Sequence, residues 1–317
     1  MLTNESVIKS GKPWLIGVLV AMLVLALISI AVVITTLATR IEPHIYIALG
    51  DSISSGYGLD GYDEAPEGKH PTVFFEMLEN AGYADEYHNM AQSGFTTTDL
   101  LTQLEEMSEE QLLLFREARV ITLNIGGNNL LLPFLSYLSY THEVSGFEDI
   151  LAELGGLIGR LFGGASGNDS NTLDVFSILM GNLSPELQSM LENGVDAFSY
   201  EFAEIILLLN DNAPNATVIV NTIFNPIPQE LLGIYLPISS VAETLIDSMN
   251  AVITENSEVL GYFVSDIHAS LSNRAELFEF NINPFVGPLS FDPVHPNEKG
   301  HYLIAELNYA TFRETVD

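Results

Sequence analysis

The chain has 317 residues, with 10 basic against 42 acidic side chains, no cysteine, and 47% hydrophobic residues. That length accommodates one or two domains with a full core, and the lack of cysteine excludes disulfides, Cys-ligated zinc, iron–sulfur clusters and a thiol nucleophile. A net charge of −32, with a pI near 4.2, repels phosphate backbones and anionic lipid, so neither nucleic acid nor a polybasic membrane contact is expected.

The mean hydropathy of +0.26 is high for so acidic a chain because the apolar residues concentrate near the N-terminus. After a short polar stretch, residues 1–13, the run from Trp14 to Ala38 carries no charge, and its only polar side chains are Ser29, Thr35 and Thr36. A bilayer core needs roughly 20 apolar residues, against roughly 7 to 15 for the apolar part of a cleavable signal, so residues 14–38 are expected to form a transmembrane signal anchor. Lys9 and Lys12 precede the run and only Arg40 follows closely, which directs the N-terminus to the cytoplasm. Residues 39–44 then link to an extracytoplasmic domain, residues 45–317, that would be secreted if the anchor were cleaved. From residue 41 onward there are 7 basic and 41 acidic side chains, a net charge of −34.

Beyond the link, apolar β-rich runs alternate with amphipathic stretches, the pattern of a parallel sheet covered by helices. Five strands are predicted: Ile45 to Leu49, a weak one over Tyr87 to Met90, Val120 to Ile125, Thr217 to Phe224, and Tyr262 to Asp266. Pro71 opens a helix that Gly82 closes, and Ser108-Glu-Glu-Gln111 matches a capping box inside a Leu-rich helical region. The stretch from about 130 to 209 exceeds one crossover helix and reads as a helical insertion, with Gly163 to Asn171 as a loop inside it.

The first strand runs straight into Gly50-Asp51-Ser52, at the carboxyl end where open α/β sheets place their sites, which makes Ser52 the candidate nucleophile. A serine hydroxyl needs a base and a group to orient that base. Asp292-Pro293-Val294-His295-Pro296 supplies both in one turn, since a three-residue spacing brings the Asp292 carboxylate to the His295 ring. Acyl transfer also needs donors aimed at the developing oxyanion. Gly94, in Ala91-Gln92-Ser93-Gly94 after the second strand, offers a backbone N–H unshielded by a Cβ. Asn128, in Gly126-Gly127-Asn128-Asn129 after the third, offers a side-chain amide, and the Ser52 N–H is a third donor.

With these four blocks in this order, the sequence resembles the SGNH (GDSL) hydrolases over residues 45 to about 312. The matching blocks are Ala48 to Gly56, Asn89 to Gly94, Gly126 to Asn129, and Asp292 to Pro296. One departure is Asn129, where the family's third block usually has aspartate. The resemblance implies a three-layer α/β/α sandwich on a five-stranded parallel sheet. It also implies acyl-ester hydrolysis through an acyl-serine intermediate, with no cofactor or metal required. The expected reading is a serine esterase or lipase acting on small-molecule, lipid or glycan acyl esters. The alternatives are a polysaccharide or cell-wall O-acetylesterase and, from another class, a catalytically silent surface carbohydrate-binding protein.

Several features carry a plainer reading. Asp51 is expected to anchor the nucleophile turn rather than to join the triad. Gly56-Tyr57-Gly58-Leu59-Asp60-Gly61 matches a dinucleotide fingerprint, but it neither follows a strand immediately nor opens a helix, and reads as a rim beside Ser52. His268 with Asp266 is a second Asp/His combination for which packing is the default. His70 and His301 have no partner at ligand spacing. Leu130 to Leu135 and Leu157 to Phe162 either line an acyl groove or form core faces of the added helices.

Overall fold

The computed structural model describes residue 18 and residues 22–30, 44–60, 68–142, 177–231, 234–281 and 290–316. The chain divides into two compact units, Met1–Glu42 and Pro43–Asp317. In the first, residue 18 and residues 22–30 are helical with exposed apolar side chains. The rest of the predicted anchor lies outside the described residues, and among those described no helix is long and apolar enough to cross a membrane.

The second unit is built on a five-stranded parallel sheet in the order β2-β1-β3-β4-β7. Its strands are β1 (Ile45–Gly50), β2 (Glu86–Asn89), β3 (Ala118–Asn124), β4 (Thr217–Asn221) and β7 (Phe263–Ser265), while β5 (Glu230–Leu231) and β6 (Ile234–Tyr235) pair antiparallel in a separate sheet. All six residues of β1 are buried, as a central strand covered on both faces requires, whereas the four of β2 are half-buried because it lies at the edge. This explains why β2 reads weakly in sequence. The predicted fourth and fifth strands extend beyond the ladder: β4 ends at Asn221 and β7 at Ser265.

Strand alternation sorts the core into two layers. Ile45, Ile47, Leu49, Ile121 and Leu123 face a layer made of α3 (Thr97–Glu105), α4 (Glu109–Glu117), α6 (Pro185–Asn212) and α7 (Pro237–Glu255). Tyr46, Ala48, Val120 and Ile219 face α2 (His70–Asn80) and α10 (Glu298–Val316), which bury Phe74, Leu78, Ala305 and Phe312; the short helices α8 (Ser257–Leu260) and α9 (His268–Leu271) flank β7 in the chain. Tyr46 and Thr122 hydrogen-bond through their hydroxyls at 2.7 Å, so these two buried polar atoms satisfy each other. The predicted capping box at Ser108 and Gln111 opens α4, and a second, Thr96 with Asp99, opens α3.

The stretch read as an insertion contains α5 (Gly127–His142) and α6. The C-terminal half of α6 is a main-layer helix, with Phe198, Phe202, Ile205 and Leu209 fully buried on the sheet. Its N-terminal half, with α5 and α7, encloses a separate apolar cluster including Leu130, Phe134, Leu135, Leu138, Leu187 and Leu191. Leu130 and Leu135 are half-buried and pack against that cluster. Gly163 to Asn171 and Leu157 to Phe162 lie outside the described residues.

Chain order and strand order together place a switch point at β1. The chain leaves β1 for β2 on one side and then crosses to β3 on the other, so the connections beyond the carboxyl ends of β1 and β3 diverge and open a crevice there.

Candidate active site

Ser52 stands at that crevice. Gly50 ends β1 at φ +138, and a Cβ on it would fall 2.1 Å from the Asn124 carbonyl oxygen, so only glycine brings β1 so close to the end of β3. The next residues form a one-turn helix, α1 (Ser52–Ser55), capped by Asp51, whose Oδ1 accepts from the Ile53 N–H at 3.0 Å and from Asn124 Nδ2 at 3.3 Å. Asp51 therefore anchors the turn that carries Ser52, and burial pushes its carboxyl up to about pKa 6. Asn89, at the end of β2, donates to the Ser54 carbonyl at 2.8 Å and fixes the turn from the other side.

His295 reaches this turn from β9 (Ser290–Pro296), which pairs antiparallel with β8 (Phe278–Asn281) just before α10. His295 Nε2 lies 3.0 Å from Ser52 Oγ, and Nδ1 lies 2.7 Å from Asp292 Oδ2. The other Asp292 oxygen accepts from the Val294 and His295 N–H groups, both at 3.0 Å, so the carboxylate cannot swing away. With Asp292 receiving the Nδ1 hydrogen, Nε2 presents its lone pair to the serine. Ser52 and His295 are 9% and 7% exposed, buried enough to strengthen these interactions yet open at the rim.

The three predicted donors stand on the segments that follow β1, β2 and β3 in the chain. Ser52 N–H opens α1, and Gly94 N–H lies in the exposed turn after β2 at φ +85; neither donates to another group among the described residues. Asn128 is 5% exposed, and one of its amide hydrogens goes to the Phe95 carbonyl at 2.9 Å. The second hydrogen remains to be donated.

The structure redistributes the secondary candidates. The Gly56–Gly58 run packs on His295, the Tyr57 ring centroid lying 4.6 Å from that of the imidazole. Asp266 serves Thr222 Oγ1 and the Ala269 N–H, while His268 Nε2 lies 3.0 Å from Glu243 Oε1; His268 is thus paired with an acid on α7 rather than with its sequence neighbour. His70 and His301 are partners of each other: the rings stack 5.7 Å apart and the His70 N–H donates to His301 Nδ1 at 3.1 Å. His70 Nε2 lies 3.3 Å from Ser54 Oγ, beneath the nucleophile turn. Burial lowers both histidines, His301 to about 3. The sequence carries no sign of this pair, whose members stand 231 residues apart. Asn124 was also missed, although a polar residue ending an otherwise apolar strand is a readable hint.

A three-layer α/β/α sandwich with a serine, histidine and aspartate in line at its carboxyl edge defines the SGNH class of hydrolase. The GDSL-like lipase/acylhydrolase family matches residues 48–303, and the chain belongs to that family of carboxylic ester hydrolases. Among solved structures, phospholipase A1 from Streptomyces albidoflavus NA297 superposes with a TM-score of 0.52 at 18% identity, covering 85% of this chain and 99% of that one. The extracellular lipase of Streptomyces rimosus gives 0.52 at 16% identity over 84% and 99% of the two chains. Lipase Lip_vut3 from a goat rumen metagenome gives 0.51 at 18% identity over 84% and 97%. At these identities the likeness is one of fold. No curated protein sequence matches the chain.

Proposed function

We propose that the protein is a serine esterase or lipase that cleaves acyl esters through an acyl-serine intermediate, with Ser52, His295 and Asp292 as its triad. The observation that carries this reading is the unbroken line from Asp292 Oδ2 through His295 to Ser52 Oγ, with contacts of 2.7 and 3.0 Å. His295 Nε2 takes the Ser52 proton as Oγ attacks the carbonyl carbon, and Asp292 stabilises the imidazolium. The Ser52 and Gly94 N–H groups and Asn128 Nδ2 hold the oxyanion. Collapse expels the alcohol, which receives the proton from His295. Water, deprotonated by the same nitrogen, then attacks acyl-Ser52; the acid leaves and Ser52 regains its proton.

The test is hydrolysis of p-nitrophenyl acetate, octanoate and palmitate by the full chain in detergent, beside two variants. Ser52→Ala is expected to lose about 10⁴-fold or more in kcat, and Asn128→Ala about 10²- to 10³-fold. Equal, small effects of both overturn the assignment. The chain-length profile assigns the substrate: acetate preference favours a glycan or small acetyl ester, octanoate or palmitate preference a lipid.

The 25-residue uncharged run and the lysines before it support a membrane-tethered enzyme whose catalytic domain faces outward. Such a protein sediments with membranes, is released by detergent but not by high salt, and is digested by protease added to intact cells. Recovery in the soluble fraction overturns the tether, and protection from the protease overturns the outward orientation.

A further inference from the structure

Two adjacent asparagines stand in the first turn of α5, one reaching the loop before α3 and the other the first residue of α3. Asn128 donates to the Phe95 carbonyl, while Asn129 grips Thr97 twice: its Oδ1 accepts from the Thr97 N–H at 3.1 Å and its Nδ2 donates to Thr97 Oγ1 at 2.8 Å. Gly94 immediately precedes Phe95. The segment from Gly94 through the first residue of α3 is thus bonded three times to the helical turn carrying the Asn128 amide.

A third element completes the set. Glu201, on α6, accepts from Thr97 Oγ1 at 2.5 Å through Oε2 and from Thr98 Oγ1 at 2.7 Å through Oε1. A hydroxyl has one hydrogen, and that of Thr97 goes to Glu201. Thr97 Oγ1 therefore shows only lone pairs to residue 129, while the Thr97 N–H next to it requires an acceptor. Position 129 must donate and accept at once. An amide does both, whereas a carboxylate only accepts. Aspartate here would set two carboxylates competing for one threonine hydrogen in a buried place, Thr97 and Asn129 being 0% and 5% exposed.

We infer that Glu201, Thr97 and Asn129 form a positioning clamp that fixes the distance between the Gly94 N–H and the Asn128 amide, and that asparagine stands at 129 because α6 already supplies the carboxylate. Glu201 and Thr97 are positioning residues for the oxyanion donors. The inference rests on the esterase reading. It also makes a prediction of sign: the acid usual for the family at 129 harms this enzyme, and removing the Glu201 charge repairs the harm.

The test is a double-mutant cycle on kcat and KM for p-nitrophenyl acetate with the full chain, with melting followed in parallel. Asn129→Asp is expected to lower kcat about 10- to 100-fold with KM within about twofold, since displaced oxyanion donors act on the transition state. Glu201→Gln alone is expected to cost less than about tenfold, and adding it to Asn129→Asp to bring kcat back to within about threefold of Glu201→Gln. Should Asn129→Asp fail to fold, Thr97→Val and Thr97→Ser replace it. Valine lacks the hydroxyl and loses about tenfold in kcat; serine keeps it and loses almost nothing. Additive losses in the cycle, or equal effects of valine and serine, on a parent whose turnover needs Ser52 overturn the clamp alone. A parent without Ser52-dependent turnover overturns the esterase reading, and the clamp with it.

Discussion

Asp51, His70 and His301 are buried within one short reach of the nucleophile turn, and their shifted proton affinities set an acid response whose sign can be worked out. The two histidines are held below their usual pKa of about 6.5 by burial, so the unfolded chain binds protons that the folded one refuses. Their contribution to stability is full above pH 6.5 and is lost as the pH falls toward the folded value, about 3 for His301. Asp51 works in the opposite sense. Its folded pKa of about 6, above the unfolded 3.8, gives stability that is present below about pH 4 and is lost as the pH rises through 6. Between pH 6 and 5 the histidines leave a net excess of about one proton on the unfolded state, worth about 1.4 kcal/mol per pH unit. Denaturant titrations should therefore show stability falling by about 1–2 kcal/mol from pH 6 to 5. Asp51→Asn, which removes the opposing group, should steepen that fall toward about 2–3 kcal/mol. A flat profile, or a shallower one in Asp51→Asn, would contradict these assignments. At this scale the Asp292–His295 contact was legible because the two residues stand three apart, and Ser52 stood out because it follows closely on the first strand. The histidine pair was not, because nothing local in either segment marks a partner 231 residues away.

The contact between α5 and α6 joins the oxyanion turn to the main helical layer. Gly194 sits in the middle of α6, and a Cβ there would lie 1.9 Å from the Asn129 carbonyl oxygen. Replacing a mid-helix glycine by alanine ordinarily stabilises by roughly 0.5–1 kcal/mol. Here the overlap is with backbone, so Gly194→Ala is expected to destabilise by about 1–3 kcal/mol and to lower kcat by shifting Asn128 and Asn129. Chemical denaturation decides the sign, and a gain in stability would show that the helices part freely. Central strands were readable from their continuous apolar runs, and caps from Ser108 and Gln111. The double duty of α6 was not, since hydrophobic spacing marks an apolar face without saying whether the sheet or a neighbouring helix covers it.

Across the whole molecule, residues 41–317 carry a net charge of −34, and like charges repel most in the compact state. Raising NaCl from about 0.01 to 0.15 M shortens the screening length from about 30 to about 8 Å, so the melting temperature should rise over that range. A salt-independent or falling midpoint would mean that local pairing already offsets the repulsion. Composition determined this charge, and four short blocks pointed to the ester-hydrolase family, because a serine just after a strand, an aspartate three residues before a histidine, and two donor-bearing segments after strands are all local patterns. Tertiary structure alone decided the partners: Ser52 to His295 across 243 residues, Thr97 to Glu201 across 104, and the order β2-β1-β3-β4-β7 that opens the crevice between β1 and β3. Such pairings depend on how helices stack on the sheet to a fraction of an ångström. Side-chain spacing along the chain states which face is apolar, but not which polar atoms that packing brings within 3 Å of one another.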